Sequence, residues 1–480
     1  NSVVPRFLPT IFTQRLILVL IGFVYLSFSG TIRADELKTV GSRFDELERQ
    51  LEFQSRELEQ LRSQIVTASF GHSVPVIEKE EKPSDPPGFE IEYDGGLNFL
   101  QDVPGETPFS LKLNAWGQVR YQNFNAYIDS WTDNAGVTRS VHDRNSLDIE
   151  RARLTASGHA LDKRLVYFLQ IDGDTDGQHQ LDFFLYHWGW EFDDSFKIHL
   201  GKKKVPASRQ WILSARRTRL ADRPMATDFL RPDLTVGVYF LGDLPHDSFY
   251  EIMIGNGYQT SNFNDANIDD RLSFAGTFYI DPLGEFGLQV VDFDHSPEPL
   301  VRIGHSFVYS PFSGSQVGVP TSETSLLRLT DGTLLTQTGA LAPGVTVSDL
   351  DVYFYSVDAG IKWRGWSLGA EVYFRWLEQL KGNGPLPVSD LFQHGFFVEG
   401  GYFLIPRKFD INLRWSEVNG FYGDGTEATI GCNYYPLEDT RLKLTFDATR
   451  LVDSPLQNSP NDIFVGDDGM LYRTQIQAEF

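Results

Sequence analysis

Hydrophobic positions along this chain follow two different periods. Between Leu37 and Ile65 they recur every three and four residues. Leu37, Phe44, Leu51, Leu58 and Ile65 share one heptad seam position, and Val40, Leu47 and Leu61 share the other, where Gln54 is the polar exception. Glu46, Glu48, Arg49, Glu57 and Arg62 take the remaining faces. A single amphipathic helix packed on a core would drift toward a period of about 3.6, so a held heptad predicts a short α-helical coiled coil over 35–70. Upstream, Arg6 and Arg15 precede an apolar run from Leu16 to Phe28, followed by Ser29, Gly30 and Ala34. The run falls short of the roughly 20 residues a helix needs to cross a bilayer, so 1–34 is expected to be a secretory signal peptide. Downstream, the stretch EKEEKPSDPPG has neither period, and 71–109 is expected to be a linker.

From about residue 110 the period becomes two. Phe409, Ile411, Leu413 and Trp415 alternate with Asp410, Asn412, Arg414 and Ser416, and Leu442, Leu444, Phe446 and Ala448 with Arg441, Lys443, Thr445 and Asp447. Segments of about ten residues with one apolar and one polar face suit tilted membrane strands. A soluble β-sandwich alternates too and is the rival reading. Seventeen segments qualify, among them 285–294 and 300–311, whereas a single-chain bacterial barrel has an even number of strands. Alternation of short and long connections, counted from both ends, is satisfied if 300–311 lies within one long external loop, 295–348. The expectation is all-β: a 16-stranded antiparallel transmembrane β-barrel over 110–480, preceded by the coiled coil, with both barrel ends and the coiled coil in the periplasm. In the last segment Tyr472, Ile476, Ala478 and Phe480 share one face. An alternating strand closing on Phe480 resembles the assembly signal of outer-membrane barrels.

Composition sharpens this picture. Aromatic residues make up 14% of the chain and Gly numbers 42, which suits outward-facing strands and interfacial belts. The net charge of -23 excludes nucleic-acid binding through bulk charge. Cys432 is the lone thiol, so neither an internal disulfide nor a CxxC zinc site can form. No HExxH, GxSxG or Walker pattern occurs, and His187, His199, His305 and His394 stand singly, so no enzyme activity, cofactor or metal is expected. Asp172, Asp174, Asp176 and Gly177 match the opening of a calcium loop, but its twelfth position would be Phe183 rather than Glu. An acidic external loop is the plainer reading.

The charge inverts in one place. Lys197, Lys202, Lys203, Lys204, Arg209, Arg216, Arg217, Arg219, Arg223 and Arg231 face only Asp222 and Asp228 within 197–231. By the strand count the connection 206–233 is external, and long ordered loops are usually functional. Folded into the lumen as a constriction loop, it would line a pore with fixed cations, as an anion pathway requires. Arg120, Arg151 and Arg153, on polar-face positions of early strands, would extend the path. The alternative is a surface loop whose arginines pair with anionic lipopolysaccharide or with the acidic remainder of the barrel. Lys202 to Lys204 include both strand parities, so all three reach the lumen only through a bulge.

The segments GKKKVPAS at 201–208, LADRPMATDFLRPDLTVGV at 220–238 and LDIERARLTASGHALDKRLVYFLQID at 147–172 resemble the porin O and P family of phosphate-selective outer-membrane channels. Motif-level likeness covers 147–240, and strand pattern most of 110–480. The resemblance implies a sixteen-stranded trimeric barrel whose third external loop folds inward, with lysines and arginines on the anion path. Lys204 matches the family's Lys ahead of a Pro, and Arg223 and Arg231 match its loop arginines. Ala207 stands where the family more often has Phe. The expected function is passive diffusion of small anions such as phosphate. The expected partners are outer-membrane lipid, two further copies in a homotrimer, and the cell wall through the coiled coil. A general or sugar-permeable porin, or a structural tether, are the alternatives.

Overall fold

The computed structural model describes residues 90–102, 107–174, 181–259, 269–314, 326–457 and 462–480. The signal segment, the heptads and the linker up to residue 89 lie outside the described residues, as do Asp176 and Gly177 of the calcium-loop pattern.

Sixteen antiparallel strands close on themselves. The first is β3 (Phe109–Ala126), which pairs on one edge with β6 (Arg144–Ala160), the connection between them carrying the small hairpin β4 (Ser130–Thr132) and β5 (Thr138–Ser140), and on the other with the last, β20 (Gly469–Glu479). Between them run β7 (Asp162–Gly173), β8 (Leu181–Asp193), β9 (Phe196–Lys204), β10 (Leu234–Leu244), β11 (Ser248–Gly255), β12 (Ser273–Ile280) and β13 (Leu300–Ser313). Then follow β14 (Val347–Trp363), β15 (Trp366–Gly382), β16 (Leu391–Ile405), β17 (Phe409–Gly420), β18 (Gly423–Tyr434) and β19 (Leu442–Val452). Each strand pairs with its sequence neighbours, so closure removes the free edges on which an open sheet aggregates.

Burial decides between the two alternating architectures. Along β17, Ile411, Leu413 and Trp415 are exposed while Asp410, Asn412, Arg414 and Ser416 are buried. A soluble sandwich would bury the apolar face; here the polar face looks into a filled lumen and the apolar face outward. The terminal strand obeys the same rule. Ile476 and Phe480 are exposed, Arg473, Gln475 and Gln477 are buried, and Phe480 exchanges backbone hydrogen bonds with Ala115 at 2.8 and 3.2 Å. Tyr472 and Ala478 share the outward face of Ile476.

The strand count is as expected, but one assignment is reversed. Residues 300–313 form β13 in full register with β14, and 285–294 form no strand. The connection 281–299 is therefore the long one at the short-turn end, and the loop between β13 and β14 begins at 314. Phe286, Val290, Val291 and Phe293 are strand-forming types, but they turn inward. The last three pack with Phe403 and Tyr435, and backbone carbonyls of Phe286 and Gln289 accept from Lys362 Nζ instead of from a neighbouring strand.

The linker also ends earlier than expected. β1 (Glu90–Tyr93) and β2 (Leu97–Gln101) form a hairpin about Asp94-Gly95-Gly96, and β2 pairs with Phe109–Leu113 of β3. That edge of β3 lies beyond the end of β20, so the hairpin covers backbone groups that would otherwise be unpaired. Among the described residues the only helices are short turns within the connection after β9: α1 (Arg209–Ile212), a 3-10 turn at Ala215–Arg217 and α2 (Met225–Leu230).

Candidate permeation pathway

The connection between β9 and β10 is closed at its base by Val205 N–H donating to Asp233 O at 2.9 Å. A loop this polar can be buried only if its backbone groups find partners, and the inward face of β15–β19 supplies them. Arg209 and Gln210 N–H donate to the carboxylate of Glu371 at 3.2 and 3.1 Å. Ala221 N–H donates to Asp447 at 3.0 Å, Met225 N–H to Glu427 at 2.6 Å and Ala226 N–H to Ser416 Oγ at 3.0 Å. Thr227 and Tyr373 join their hydroxyls at 2.7 Å. Residues Leu220 to Leu230 are buried throughout.

Most cations of the basic island are held by carboxylates. Asp222 takes Arg120 at 2.9 Å and Arg151 at 3.0 Å, and Arg120 also reaches Glu150 and Asp462, each at 3.3 Å. Burial alone would raise the Asp222 carboxyl, but the guanidiniums of Arg151, Arg120 and Arg223 outweigh it and hold it well below the usual carboxylate range. Arg209 pairs with Asp358 at 2.6 Å. Arg219 lies 3.6 Å from Glu399 and donates to Ser367, Asn412 and the carbonyl of Val290 in the inward-turned segment. Arg231 pairs with Asp228 at 3.0 Å and Asp233 at 3.3 Å, and Arg216 pairs with Glu479. Arg217, half-buried beside Arg216, is pushed down by burial and by that neighbouring charge. Lys197 is elsewhere, 3.9 Å from Asp243 at the short-turn end.

Lys204 and Arg223 bond backbone carbonyls instead. Lys204 Nζ donates to the carbonyls of Trp211 and Leu213 at 2.8 and 3.0 Å, and Arg223 to those of Gln210 and Leu213 at 3.1 and 2.9 Å. These bonds finish the last turn of α1. Burial lowers Arg223 to about 10, so it stays charged at neutral pH. Lys203 bonds Glu251 at 2.6 Å and lies 4.7 Å from the Tyr239 ring. The neighbouring Lys202 reaches the carbonyl of Phe183 at 3.2 Å and borders neither cavity described below.

Two adjoining cavities remain between the loop and β6–β9. The one nearer the long loops, about 230 Å³, sets Arg151, Arg153, Lys204, Arg223 and Arg231 against Glu150, Asp172, Asp174, Asp182, Asp228 and Asp233. The deeper one, about 280 Å³, sets Arg153, Lys203, Lys204 and Arg216 against Glu251 alone, with Phe168, Phe184 and His187 on its wall. They meet at Arg153, Phe184 and Lys204. Arg153 is fixed there by Asp172 at 2.6 Å and lies 3.9 Å over the Phe184 ring. Trp211 forms the loop side, with Arg231 at 3.7 Å and Lys204 at 4.7 Å from its ring centre.

Sequence reading did not single out Trp211, Phe184 or the acidic wall of Asp358, Glu371, Glu399, Glu427 and Asp447. Strand parity held the signal, since each acid occupies a polar-face position beside an apolar one. Asp172 is spent on Arg153, and among the described residues no cluster could hold a metal ion.

The description "phosphate-selective porin O and P" belongs to the family whose model matches residues 123–480. No curated protein matches the chain. Among solved structures, Salmonella typhi OmpF in complex with daunomycin superposes with a TM-score of 0.50 at 12% identity, covering 82% of this chain and 100% of that one. OmpT of Vibrio cholerae, in its trimer form, gives 0.47 at 12% identity, covering 77% and 99%. The outer-membrane channel DcaP of Acinetobacter baumannii gives 0.45 at 10% identity, covering 77% and 97%.

Proposed function

Because the chain belongs to the phosphate-selective porin O and P family, we propose that it gives small anions, phosphate among them, passive diffusion across the outer membrane along the β6–β9 side of its lumen. One observation carries this reading: the lining of the deeper cavity includes Arg153, Lys203, Lys204 and Arg216 and one acid, Glu251, while Asp172 and Glu479, the partners of Arg153 and Arg216, stand outside that lining. Fixed cations there replace part of an anion's hydration shell. Because several sites share the task, none holds the ion tightly enough to stop it leaving. Arg120, Arg151, Arg209, Arg219 and Arg231 act one step back, fixing the loop that shapes the path. The short turns face the periplasm, where the heptad segment at 35–70 would bring copies together in a trimer and touch the cell wall.

A general pore is the second reading, favoured by the outer cavity, where five cations meet six carboxylates. Reversal potentials across a planar bilayer under a KCl gradient separate the two. Anion preference is expected; cation preference would remove the anion-channel reading, near-equal permeability would support the general pore, and no conductance would leave a membrane anchor.

A further inference from the structure

The outward wall carries a feature that permeation does not use. Across β14–β19 the membrane-facing surface is indented by a trough of about 1020 Å³. Its floor is Gly400, which has no side chain to fill the space, and its sides include Leu368 and Leu413, both exposed. A Cβ at Gly400 would sit 3.3 Å from Leu368 Cδ1, so the hollow depends on glycine there. Toward the short turns the trough is rimmed by aromatics: Trp366 stacks on Tyr402 with centroids 4.4 Å apart, and Trp363 donates to Pro297 O at 3.2 Å.

The rim ends in a cation. Arg364, in the turn between β14 and β15, is exposed, places its guanidinium 5.0 Å from the Trp363 ring centre and has no carboxylate partner among the described residues. The nearby turn cations are engaged, Arg407 with Asp294 at 3.7 Å and Lys408 with Glu438 at 3.1 Å. An apolar trough, an interfacial aromatic belt and an unneutralised cation in sequence match the parts of one molecule: acyl chain, glycerol region and phosphodiester. A second barrel fits poorly, because its convex wall would touch the aromatic rims and leave the Gly400 floor empty.

We propose that this trough holds one anionic phospholipid of the periplasmic leaflet, its acyl chain over Gly400 and its phosphate at Arg364. The test uses the full chain, purified in mild detergent and incubated with phosphatidylglycerol or phosphatidylcholine of the same chain length. Native mass spectrometry counts the lipid retained after detergent exchange. One phosphatidylglycerol per barrel is expected, with phosphatidylcholine held at least tenfold more weakly. Gly400→Leu should lower retention of both at least tenfold, while heat-modifiable mobility on a gel reports that the barrel has formed. Arg364→Gln lies in an exposed turn and tests the idea even if the first variant fails to fold. It should abolish the preference for phosphatidylglycerol and keep the weaker, chain-driven binding. Equal retention of the two lipids by the unaltered protein, or a preference untouched by Arg364→Gln, would overturn the proposal. So would a Gly400→Leu barrel that loses its partner copies while lipid retention stays the same, since the trough would then be a contact between copies.

Discussion

The two sides of the lumen are built from the same alternating strands and behave differently. On the β14–β19 side, Asp358, Glu371, Glu399, Glu427 and Asp447 point inward and take up backbone N–H groups and guanidiniums of the loop. On the β6–β9 side Arg151 ties the loop through Asp222, Arg153 and Lys203 pair with Asp172 and Glu251 of the wall rather than with the loop, and the two cavities lie there. The acidic excess therefore has a place in the architecture. A carboxylate-rich wall draws a cationic loop to one side and leaves the two cavities on the other. Overall charge says little about permeation, because many carboxylates are spent on anchoring.

The strongest way to break this comparison is Asp222→Asn. It leaves the buried Arg120 and Arg151 without the carboxylate they share, a loss of about 3–5 kcal/mol for a buried pair. Thermal unfolding should shift downward, and single-channel conductance should become larger and noisier as the loop loosens. If both stay unchanged, the anchoring role is wrong.

A smaller effect is expected inside the passage. Lys203→Gln strands Glu251 in the deeper cavity without touching the loop's backbone bonds. The permeability ratio of chloride to potassium, read from the reversal potential, should fall about fivefold, equivalent to roughly 1 kcal/mol, with little change in melting. An unaltered ratio would move the selective site away from the β9 wall.

The smallest effect concerns pH. The folded Asp222 carboxyl lies below its unfolded value, so its contribution is present above the unfolded pKa of about 4 and is lost only as the pH falls through the lower folded one. Conductance at pH 4 and pH 7 should therefore show the same closed-down loop. Loosening already at pH 5 would mean that other carboxylates set the anchor.

Much of the architecture was legible because a period of two leaves each residue only two faces. Ile411 against Asp410, or Ile476 against Gln475, can be assigned outward or inward without coordinates. The error over 285–294 has a physical origin. Phe286, Val290 and Val291 have strand propensity, but the carbonyls of Phe286 and Gln289 accept from Lys362 and that of Val290 from Arg219, and propensity does not report the partner. The hairpin at 90–101 was missed although Asp94-Gly95-Gly96 between Tyr93 and Leu97 is a turn signal, because its strands are short and pair only at the β3 edge. The basic island was visible as a run of charge. Its division into anchors and passage was not, because Asp222 lies 102 and 71 residues from Arg120 and Arg151.

By itself, then, the sequence determined a sixteen-strand alternation, the outward apolar face and the location of the basic segment. These follow from local periodicity, which each strand carries alone. Tertiary structure decided which wall the loop leans on, which cations border the two cavities and how the short-turn end is filled. Those outcomes depend on charges far apart in sequence meeting across a closed barrel, where low dielectric makes each pairing count.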